Sequence, residues 1–483
     1  MKESRSLFVV IVTLTFIIMP FGSYATQDNI INNTNRSHII KVAIYNGDGD
    51  ENYYHTFLNY QWTINNKTYI FKSTIIDKKD VLGYGNNPLT NDNFNVLFIG
   101  ASARSYLLDS LNPRWKNNVK KFIENGGGYL GICGGANAAS RGFEKPKNVF
   151  HKHVNKGVLG IANVYINDDF LGEWQYLLKR NIEPNYSQNS SEFQGYISMN
   201  LSVEKNDGNK IFSDYDKSYR KMGYAGGPGM YNASSSDPKH GKIIPILKFQ
   251  DELMETHPIH FWRHTLNGWE ILKTVPTNLS NTYAGIATTY NNGRIILYSP
   301  HPELGLFKDG KLNESHGKGI ISRYTNLKSY TYTYRGEIEN YSNYWLIRRS
   351  IAWVAHIPDK DLPPKDDNMI WLTQPFSYYN AIYINNKYIL NSHLFRKTII
   401  FGEIDLIILS EYPEHIKKIE LLLDDKLECT FNKSSMKTVL PFYRVLEYRL
   451  DKKLFGYHNI KVKSYDTRGS IAYDEVDAWF FNT

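Results

Sequence analysis

Cys133 is the residue at which this chain combines a nucleophilic side chain with the backbone pattern that such chemistry needs. The apolar run Tyr129–Ile132 predicts a short buried strand that ends at Cys133, and the small residues Gly134–Ala139 predict a helix that begins at once. A sharp strand-to-helix turn strains its corner residue and points backbone N–H groups at it. These groups can stabilise a thiolate and an oxyanion. The alternative is a buried structural cysteine, which is the usual state of a free cysteine.

A base and an orienting carboxylate are predicted at the end of a second strand. Two β-prone runs, Ala284–Tyr290 and Arg294–Tyr298, flank an Asn-Gly turn and indicate a hairpin whose second strand leads into Ser299-Pro-His-Pro-Glu303. His301 and Glu303 are two residues apart, so in extended backbone both point the same way, and the carboxylate can hold the imidazole towards the thiol. Alone, His301 would be an ordinary surface histidine. Together with Cys133 it predicts a Cys-His-Glu triad.

Backbone groups at the same sheet edge complete the predicted site. We expect the oxyanion donors to be the N–H of Gly134 and an N–H from the turn at Gly100 and Ala101. A second glycine-rich turn contains Gly226 and Gly227 and is a candidate edge of the substrate site. A simple tight turn explains these two glycines equally well.

The elements that position these residues follow an α/β pattern. Residues 39–45 and 96–100 are predicted strands, and Asn112-Pro113 predicts the start of a helix with one apolar face. Residues 343–355 predict a helix that closes the domain. A strand, a helix and a strand at this spacing indicate a parallel sheet with both faces covered.

The last quarter of the chain changes character. Residues 358–368 are charged and contain prolines, which predicts a linker. Short β-prone runs separated by turns follow in 369–483 and predict an antiparallel β-sandwich. Cys429 lies in this second domain, where we expect a packing role and no disulfide to Cys133.

The N-terminus predicts export. Residues 1–25 combine Lys2 and Arg5, an apolar run and small residues at a cleavage-site spacing, which indicates a secretory signal peptide. An uncleaved anchor is the alternative. Residues 26–37 are polar and Asn-rich and predict a disordered lead-in. We therefore expect a secreted or cell-surface protein.

Charge and metal-ligating residues exclude several classes of function. The formal net charge of +8 is modest, and its Lys and Arg residues are scattered, so we expect no nucleic-acid partner. His151 and His153 flank Lys152 without a third ligand nearby, so we interpret them as surface residues and predict no metal site. Nothing in the sequence indicates a cofactor.

Gly131-Ile-Cys-Gly-Gly and His301-Pro-Glu303 resemble the signatures of the class I glutamine amidotransferase-like superfamily. The run 125–136, the Gly226-Gly-Pro228 turn and the Ser299–Glu303 ending resemble, more narrowly, the biotin-protein ligase N-terminal-like family. This resemblance covers roughly residues 39–357, assigned to a domain at 38–357, and implies a flavodoxin-like sandwich with a Cys-His-Glu triad. The residues 369–483 resemble bacterial-type immunoglobulin-like modules.

One departure from the family bears on the reaction. Amidotransferases of this family usually carry Gln four residues after the cysteine, where this chain has Asn137, a shorter amide that we keep as a substrate-edge candidate. No synthase domain and no biotin-ligase catalytic domain accompany the site. We therefore exclude glutamine-dependent synthesis and biotin ligation.

Two hypotheses about function follow. In the first, the protein is an exported cysteine hydrolase of an amide, peptide or ester, acting on a small-molecule or peptide substrate. In the second, it is a cell-surface binding or structural protein that keeps the amidotransferase scaffold without turnover. Under either hypothesis, the immunoglobulin-like module favours a cell-surface or glycan partner.

Overall fold

A computed structural model describes most of the chain after residue 36. The described residues are 37–47, 51–167, 192–194, 197–224, 227–234, 237–250, 259–265, 268–275, 279–303, 306–307, 338–340, 343–377, 380–391, 397–440 and 443–482. The predicted signal peptide and nearly all of the predicted lead-in lie outside them. Ser37, the last lead-in residue, is the first residue of a strand. No helix in this part of the chain is long and apolar enough to cross a membrane.

The helices and strands before residue 358 contain the predicted triad. The helices are α1 (Glu51–Phe57), α2 (Lys78–Leu82), α3 (Ala103–Leu107), α4 (Pro113–Glu124), α5 (Gly134–Ala139), α6 (Val149–Gly157) and α7 (Tyr344–Val354). The strands are β1 (Ser37–Tyr45), β2 (Tyr60–Ile64), β3 (Lys67–Ile76), β4 (Val96–Ile99), β5 (Gly128–Ile132), β6 (Val164–Ile166), β7 (Glu192–Gln194), β8 (Ile197–Val203), β9 (Tyr219–Tyr224), β10 (Met230–Asn232), β11 (Ile244–Phe249), β12 (Ile259–Thr265), β13 (Gly268–Val275), β14 (Tyr283–Tyr290), β15 (Gly293–Tyr298), β16 (Leu306–Phe307) and β17 (Ile338–Asn340).

Five parallel strands form the centre of the large mixed sheet. Their spatial order is β3-β1-β4-β5-β15, so the strands numbered along the chain lie in the order 2-1-3-4-5 of a doubly wound sheet. One face packs on α1 and α7, and the other packs on α2 and α4. Antiparallel strands extend the sheet beyond β15 through β14, β11 and β8. The predicted parallel α/β arrangement with two covered faces is confirmed.

Helix α4 shows how the sequence specifies these elements. The Asn112 side chain accepts hydrogen bonds from the N–H groups of Arg114 at 2.9 Å and Trp115 at 3.4 Å, which caps the helix. Pro113 occupies the first helical position, where no N–H is needed. The apolar side chains that share one face are all buried, as predicted. They are Trp115, Val119, Phe122 and Ile123.

The C-terminal residues form two facing sheets. The strands are β18 (Met369–Gln374), β19 (Ala381–Ile384), β20 (Lys387–Asn391), β21 (Thr398–Phe401), β22 (Asp405–Glu411), β23 (Ile416–Leu423), β24 (Lys426–Phe431), β25 (Lys437–Leu440), β26 (Tyr443–Arg449), β27 (Leu454–Asp466) and β28 (Ser470–Asn482). One sheet, β18-β22-β26-β25, is antiparallel as predicted. In the other, β21 pairs parallel with β19 and β28, so the prediction of a wholly antiparallel sandwich is wrong. Parallel neighbours require a crossover connection, which short β-prone runs do not reveal.

The two halves of the chain share a sheet and a core. Strand β2 pairs with β28, so the α/β sheet continues into the C-terminal sheet. The segment 358–368, predicted as a linker, is packed rather than extended into solvent, since Asp361, Asp367 and Asn368 are fully buried. Cys133 and Cys429 are both free, as predicted.

Arg348 of α7 lies at the junction of the two halves. Its buried guanidinium donates hydrogen bonds of 2.9 Å to the carbonyl oxygens of Phe57 and Asn368. The same group lies 3.9 Å from the Asp367 carboxylate and 4.0 Å from the Tyr60 ring centroid. A buried charge is tolerated only when it is paired and hydrogen-bonded in this way.

Replacing this arginine should therefore destabilise the whole unit. Arg348→Met leaves two buried carbonyls without their donor and Asp367 with less countercharge, which should lower the free energy of unfolding by about 3–5 kcal/mol. Arg449→Met is the matched control, because the Arg449 side chain is 56% exposed and its ion pairs are worth about 1 kcal/mol or less. Urea denaturation of both variants measures the difference. If both variants lost the same small amount of unfolding free energy, Arg348 would not stabilise the junction as we expect.

Asp474 of β28 is a buried acid with a perturbed ionisation. One carboxyl oxygen accepts hydrogen bonds from the Leu372 N–H at 2.7 Å and from the Ser377 hydroxyl at 2.5 Å. Burial dominates over these hydrogen bonds and raises the pKa of the carboxyl to about 7. At pH values between about 4 and 7, the Asp474 carboxyl therefore stays protonated in the folded protein, whereas it is ionised in the unfolded chain.

This difference makes stability depend on pH. Between the unfolded pKa of about 3.9 and the folded pKa of about 7, the native state binds more protons, so the contribution of Asp474 to stability falls as pH rises. In Asp474→Asn this loss disappears, and the variant should gain about 3 kcal/mol relative to the wild type between pH 4 and pH 7. Asp477→Asn, at a side chain 44% exposed on the same strand, is the control. Parallel stability profiles for wild type and Asp474→Asn would refute the prediction.

Candidate active site

Cys133 forms the sharp corner between β5 and α5 that the sequence predicts. Its backbone has φ 51° and ψ −103°, a conformation that costs free energy for any residue with a Cβ. Two hydrogen bonds hold the corner on its α5 side, because the Cys133 carbonyl accepts from the N–H groups of Ala136 and Asn137 at 3.0 Å each. The side chain is 8% exposed. The geometry is that of a strained turn that presents one side chain at the end of a strand.

Three glycines around the corner permit the close packing that holds it. A Cβ on Gly135 would lie 2.0 Å from the Ile99 carbonyl oxygen, and one on Gly134 would lie 2.6 Å from the backbone of Ser102. A Cβ on Gly131 would lie 2.6 Å from the Gly135 carbonyl oxygen. Each contact involves backbone, which cannot move aside cheaply, so larger residues would separate α5 from β5 or from β4 and the turn that follows it.

Strand β15 brings His301 and Glu303 to the same edge of the sheet. It pairs parallel with β5, with Tyr298 beside Ile132. The Cys133 N–H donates a 2.8 Å hydrogen bond to the Tyr298 carbonyl, which places the corner level with the end of β15. The His301 N–H then donates at 2.7 Å to the Gly223 carbonyl. The predicted triad residues therefore follow the carboxyl ends of two adjacent parallel strands, where doubly wound sheets place their sites.

The imidazole of His301 is held by Glu303 as predicted. Nδ1 of His301 and Oε1 of Glu303 are 2.8 Å apart, and both side chains are buried. Nε2 is enclosed and has no hydrogen bond of ordinary geometry among the described residues, which leaves it available to the thiol. This is the arrangement of a base fixed by an orienting carboxylate.

The pKa of His301 lies well above its usual value. Burial alone would lower this pKa, but the neighbouring Glu303 carboxylate and the Cys133 sulfur raise it by more than burial lowers it. The Cys133 thiol is one of the groups that raise this pKa.

Tyr54 of α1 is a member of the site that sequence analysis missed. Its hydroxyl donates a 3.1 Å hydrogen bond to Oε1 of Glu303, the same oxygen that contacts His301. A Cβ on Gly100 would lie 2.4 Å from the Tyr54 ring, so this glycine permits the tyrosine to reach the carboxylate. In the sequence, Tyr54 has only the apolar spacing of a helix face, with no signal of a polar role.

The predicted oxyanion donors lie together around Cys133. Gly134 is the first residue of α5, where helical N–H groups have no acceptor within the helix. The Gly100 carbonyl accepts a 2.9 Å hydrogen bond from the Gly135 N–H, which joins the two turns. The Ala101 N–H points at the Tyr54 hydroxyl at 3.4 Å, a long contact. The donor role of Gly134, Gly100 and Ala101 stays a prediction.

The three substrate-edge candidates have different positions. Asn137 is 1% exposed, and its Nδ2 lies 3.5 Å from the hydroxyl of Tyr106 in α3, so its side chain is buried between α5 and α3. A Cβ on Gly227 would lie 1.8 Å from the Ser299 carbonyl oxygen, so this glycine lets its loop pack against the segment that leads to His301. Gly226 lies outside the described residues.

The two histidines of α6 do not form a pair. His151 is fully buried and stacks on Phe143 with ring centroids 3.9 Å apart, so the prediction of a surface residue is wrong at this position. His151 is buried because it lies on the face of α6 that meets the core. His153 lies on another face, and its Nε2 contacts the Leu107 carbonyl oxygen at 2.7 Å. Among the described residues, no group of three or more His, Cys, Asp or Glu side chains could hold a metal ion.

The Tyr54 hydroxyl should influence the reactivity of Cys133 through Glu303 and His301. In Tyr54→Phe the carboxylate loses one donor, and the alkylation rate of Cys133 by iodoacetamide at pH 7 should fall roughly threefold to tenfold, the effect of one hydrogen bond. Tyr298→Phe is the matched control, since its buried hydroxyl contacts Ser350 at 2.9 Å on another side of β15. Mass spectrometry of the Cys133 peptide measures the rate. If both variants react like the wild type, Tyr54 does not position the site.

Comparison with known proteins gives remote likenesses to solved structures. No protein family matches the chain, and no curated protein is similar to it in sequence. Among solved structures, PurLQS from Thermotoga maritima aligns with 55% of this chain and 88% of its own at a TM-score of 0.29 and 13% identity. Cytoplasmic Protein STM3548 from Salmonella typhimurium aligns with 54% of this chain and 89% of its own, at a TM-score of 0.25 and 10% identity. The Clostridium thermocellum CbhA fibronectin(III)-like modules align with 24% of this chain and 99% of their own, at a TM-score of 0.15 and 17% identity. With TM-scores this far below 0.5, these likenesses establish no shared activity.

Proposed function

We propose that this protein is an exported cysteine hydrolase that cleaves an amide, peptide or ester bond. Cys133 acts as nucleophile, His301 as acid and base, and Glu303 as the group that orients the imidazole. The observation that carries the proposal is the strained Cys133 corner at the same sheet edge as a buried His301 whose Nδ1 is held by Glu303, which with Cys133 raises the pKa of the imidazole. A purely structural cysteine needs neither the strain nor the polar pair.

The proposed reaction is acyl transfer through a thioester. The protonated imidazole favours the Cys133 thiolate, which attacks the substrate carbonyl carbon and forms a C–S bond. The carbonyl oxygen becomes an oxyanion near the Gly134 N–H. The C–N or C–O bond then breaks, and His301 gives its proton to the leaving group. Neutral His301 next removes a proton from water, whose oxygen displaces the thiolate and releases the acid product.

The scaffold proposed for this chemistry is the flavodoxin-like sandwich of the class I glutamine amidotransferase-like superfamily, close to the biotin-protein ligase N-terminal-like family. The 2-1-3-4-5 order of the parallel strands and the site at their carboxyl ends support this assignment. We propose an immunoglobulin-like sandwich for residues 369–483, supported by its two facing sheets. The predicted signal peptide supports export, so we propose that the reaction takes place outside the cytoplasm.

Activity-based labelling tests this proposal. The full exported chain should react with an iodoacetamide-alkyne probe at Cys133 near pH 7, although this thiol is buried and Cys429 is partly exposed. His301→Asn should slow the labelling of Cys133 by at least about tenfold, since general-base and ion-pair effects contribute 10²–10⁴-fold in enzymes. Cys133→Ala should abolish hydrolysis across a panel of p-nitrophenyl esters and peptide anilides. Cys429→Ala, the matched cysteine control, should leave both readouts unchanged.

Two results would instead favour the non-catalytic hypothesis. Labelling of Cys429 before Cys133, with no effect of His301→Asn, would show that the thiol is not activated. Absence of hydrolysis across the whole panel, in the wild type as in Cys133→Ala, would show that the site does not turn over these substrates. The chain would then be a binding protein that keeps the scaffold of an enzyme.

A further inference from the structure

The outer face of the C-terminal sheet carries an exposed aromatic cluster. Directly paired residues of neighbouring strands share one face. Phe481 of β28 pairs with Phe455 of β27 and Phe401 of β21, and Trp479 pairs with Tyr457. We call these five residues the aromatic platform. Their exposed fractions are 38% for Phe481, 70% for Phe455, 41% for Phe401, 43% for Trp479 and 45% for Tyr457.

The platform does not belong to the core of the sandwich. The residues that alternate with it, Ala478 and Phe480 in β28 and Ile400 in β21, are buried and face the other sheet. Strand alternation therefore already fills the interior, and the aromatic residues are additional to it. Clustered exposed apolar side chains of this kind mark interaction surfaces.

Ring geometry organises the platform. The planes of Trp479 and Phe481 are 17° apart with centroids separated by 6.5 Å, and those of Phe401 and Phe481 are 18° apart with a separation of 5.1 Å. Three rings across two strands therefore share nearly one orientation. The ring plane of Phe455 is at 90° to that of Phe481, and the ring plane of Tyr457 is at 62° to that of Trp479. The arrangement offers successive aromatic contacts to an elongated ligand.

The charges that border the platform cancel one another. Lys397 lies 3.8 Å from Asp477 and donates a 3.0 Å hydrogen bond to the Tyr457 hydroxyl. Further along the same strands, Lys461 lies 2.9 Å from Glu475. Because each lysine has an acidic partner, the border suits a neutral ligand better than an anionic lipid surface, which attracts unpaired basic residues. These polar groups can also hydrogen-bond hydroxyls.

The size of the platform argues against a stable dimer. The exposed fractions of the five side chains, applied to about 150–250 Å² for each aromatic residue, give an apolar patch of roughly 500 Å². A standard protein–protein interface needs about 800 Å² from each partner. A sugar chain needs far less area, because the C–H faces of its rings stack on aromatic faces one ring at a time.

We propose that the aromatic platform binds a neutral polysaccharide strand, with the sugar rings on Trp479, Phe481 and Phe401 and the hydroxyl groups at the Lys397–Asp477 border. This site is remote from the Cys133 corner and does not depend on its chemistry. It would attach the exported protein to a glycan surface.

Retention on polysaccharides tests the platform. The full chain is applied to cellulose, chitin, xylan, β-1,3-glucan and galactomannan, and at least one should retain it. Trp479→Ala combined with Phe481→Ala should weaken the affinity for that glycan at least about tenfold, with the thermal unfolding transition preserved because both side chains point outwards. Phe401→Ala, at another of the proposed stacking rings, which is 41% exposed, is a second variant in case the double variant does not fold. Tyr84→Ala is the control, because Tyr84 is 62% exposed and lies in the other half of the chain.

Four outcomes would overturn the proposal. These are no retention of the wild type by any of the five polysaccharides, equal retention of the platform variants, a dimer in sedimentation that the platform variants dissociate without any glycan binding, and binding to phosphatidylcholine or phosphatidylserine vesicles in place of glycans. Labelling of Cys133 is unaffected in each case, so the test is independent of the proposed hydrolase.

Discussion

The parallel pairing of β5 with β15 is the constraint on which the rest of the site depends. One hydrogen bond, from the Cys133 N–H to the Tyr298 carbonyl at 2.8 Å, aligns the end of β5 with the end of β15. Everything beyond that point in either strand leaves the sheet at the same edge. Residues distant in sequence thereby become neighbours, and the 2.7 Å hydrogen bond from the His301 N–H to the Gly223 carbonyl holds the short segment that follows β15.

The packing around this edge explains why a strained cysteine is stable. Gly134 and Gly135 let the backbone of the β4 turn approach α5 closely, and the N–H of Gly135 bonds to the Gly100 carbonyl. On the other side, Tyr54 passes over Gly100 and reaches Glu303. The corner is thus held from several directions, which is the condition under which proteins maintain unfavourable backbone angles.

Much of this arrangement could be predicted from the sequence, because it depends on local patterns. The cap at Asn112, the apolar face of α4 and the Asn-Gly hairpin before His301 each carry their own signal, and the structure confirms them. What could not be predicted depends on contacts between distant segments. Tyr54 reaches the site only through the fold, and the burial of His151 depends on which face of α6 meets the core. The parallel pairing of β21 follows from a crossover that leaves no mark on strand composition.

The same distinction applies to the C-terminal sheet. Aromatic residues alternate with buried ones in β28, but only the pairing of β28 with β27 and β21 shows that they gather on one outer face.

The central claim is that Cys133, His301 and Glu303 form one charged unit. An NMR titration of the ¹⁵N-labelled imidazole of His301 tests it most directly, with Cys133→Ala as the comparison. The account predicts that both ring nitrogens stay protonated at pH 7.5 in the wild type, because Glu303 and Cys133 raise the pKa of the ring, and that the pKa falls when the thiol is removed. A ring that is neutral at pH 7.5 and unaffected by Cys133→Ala would contradict it.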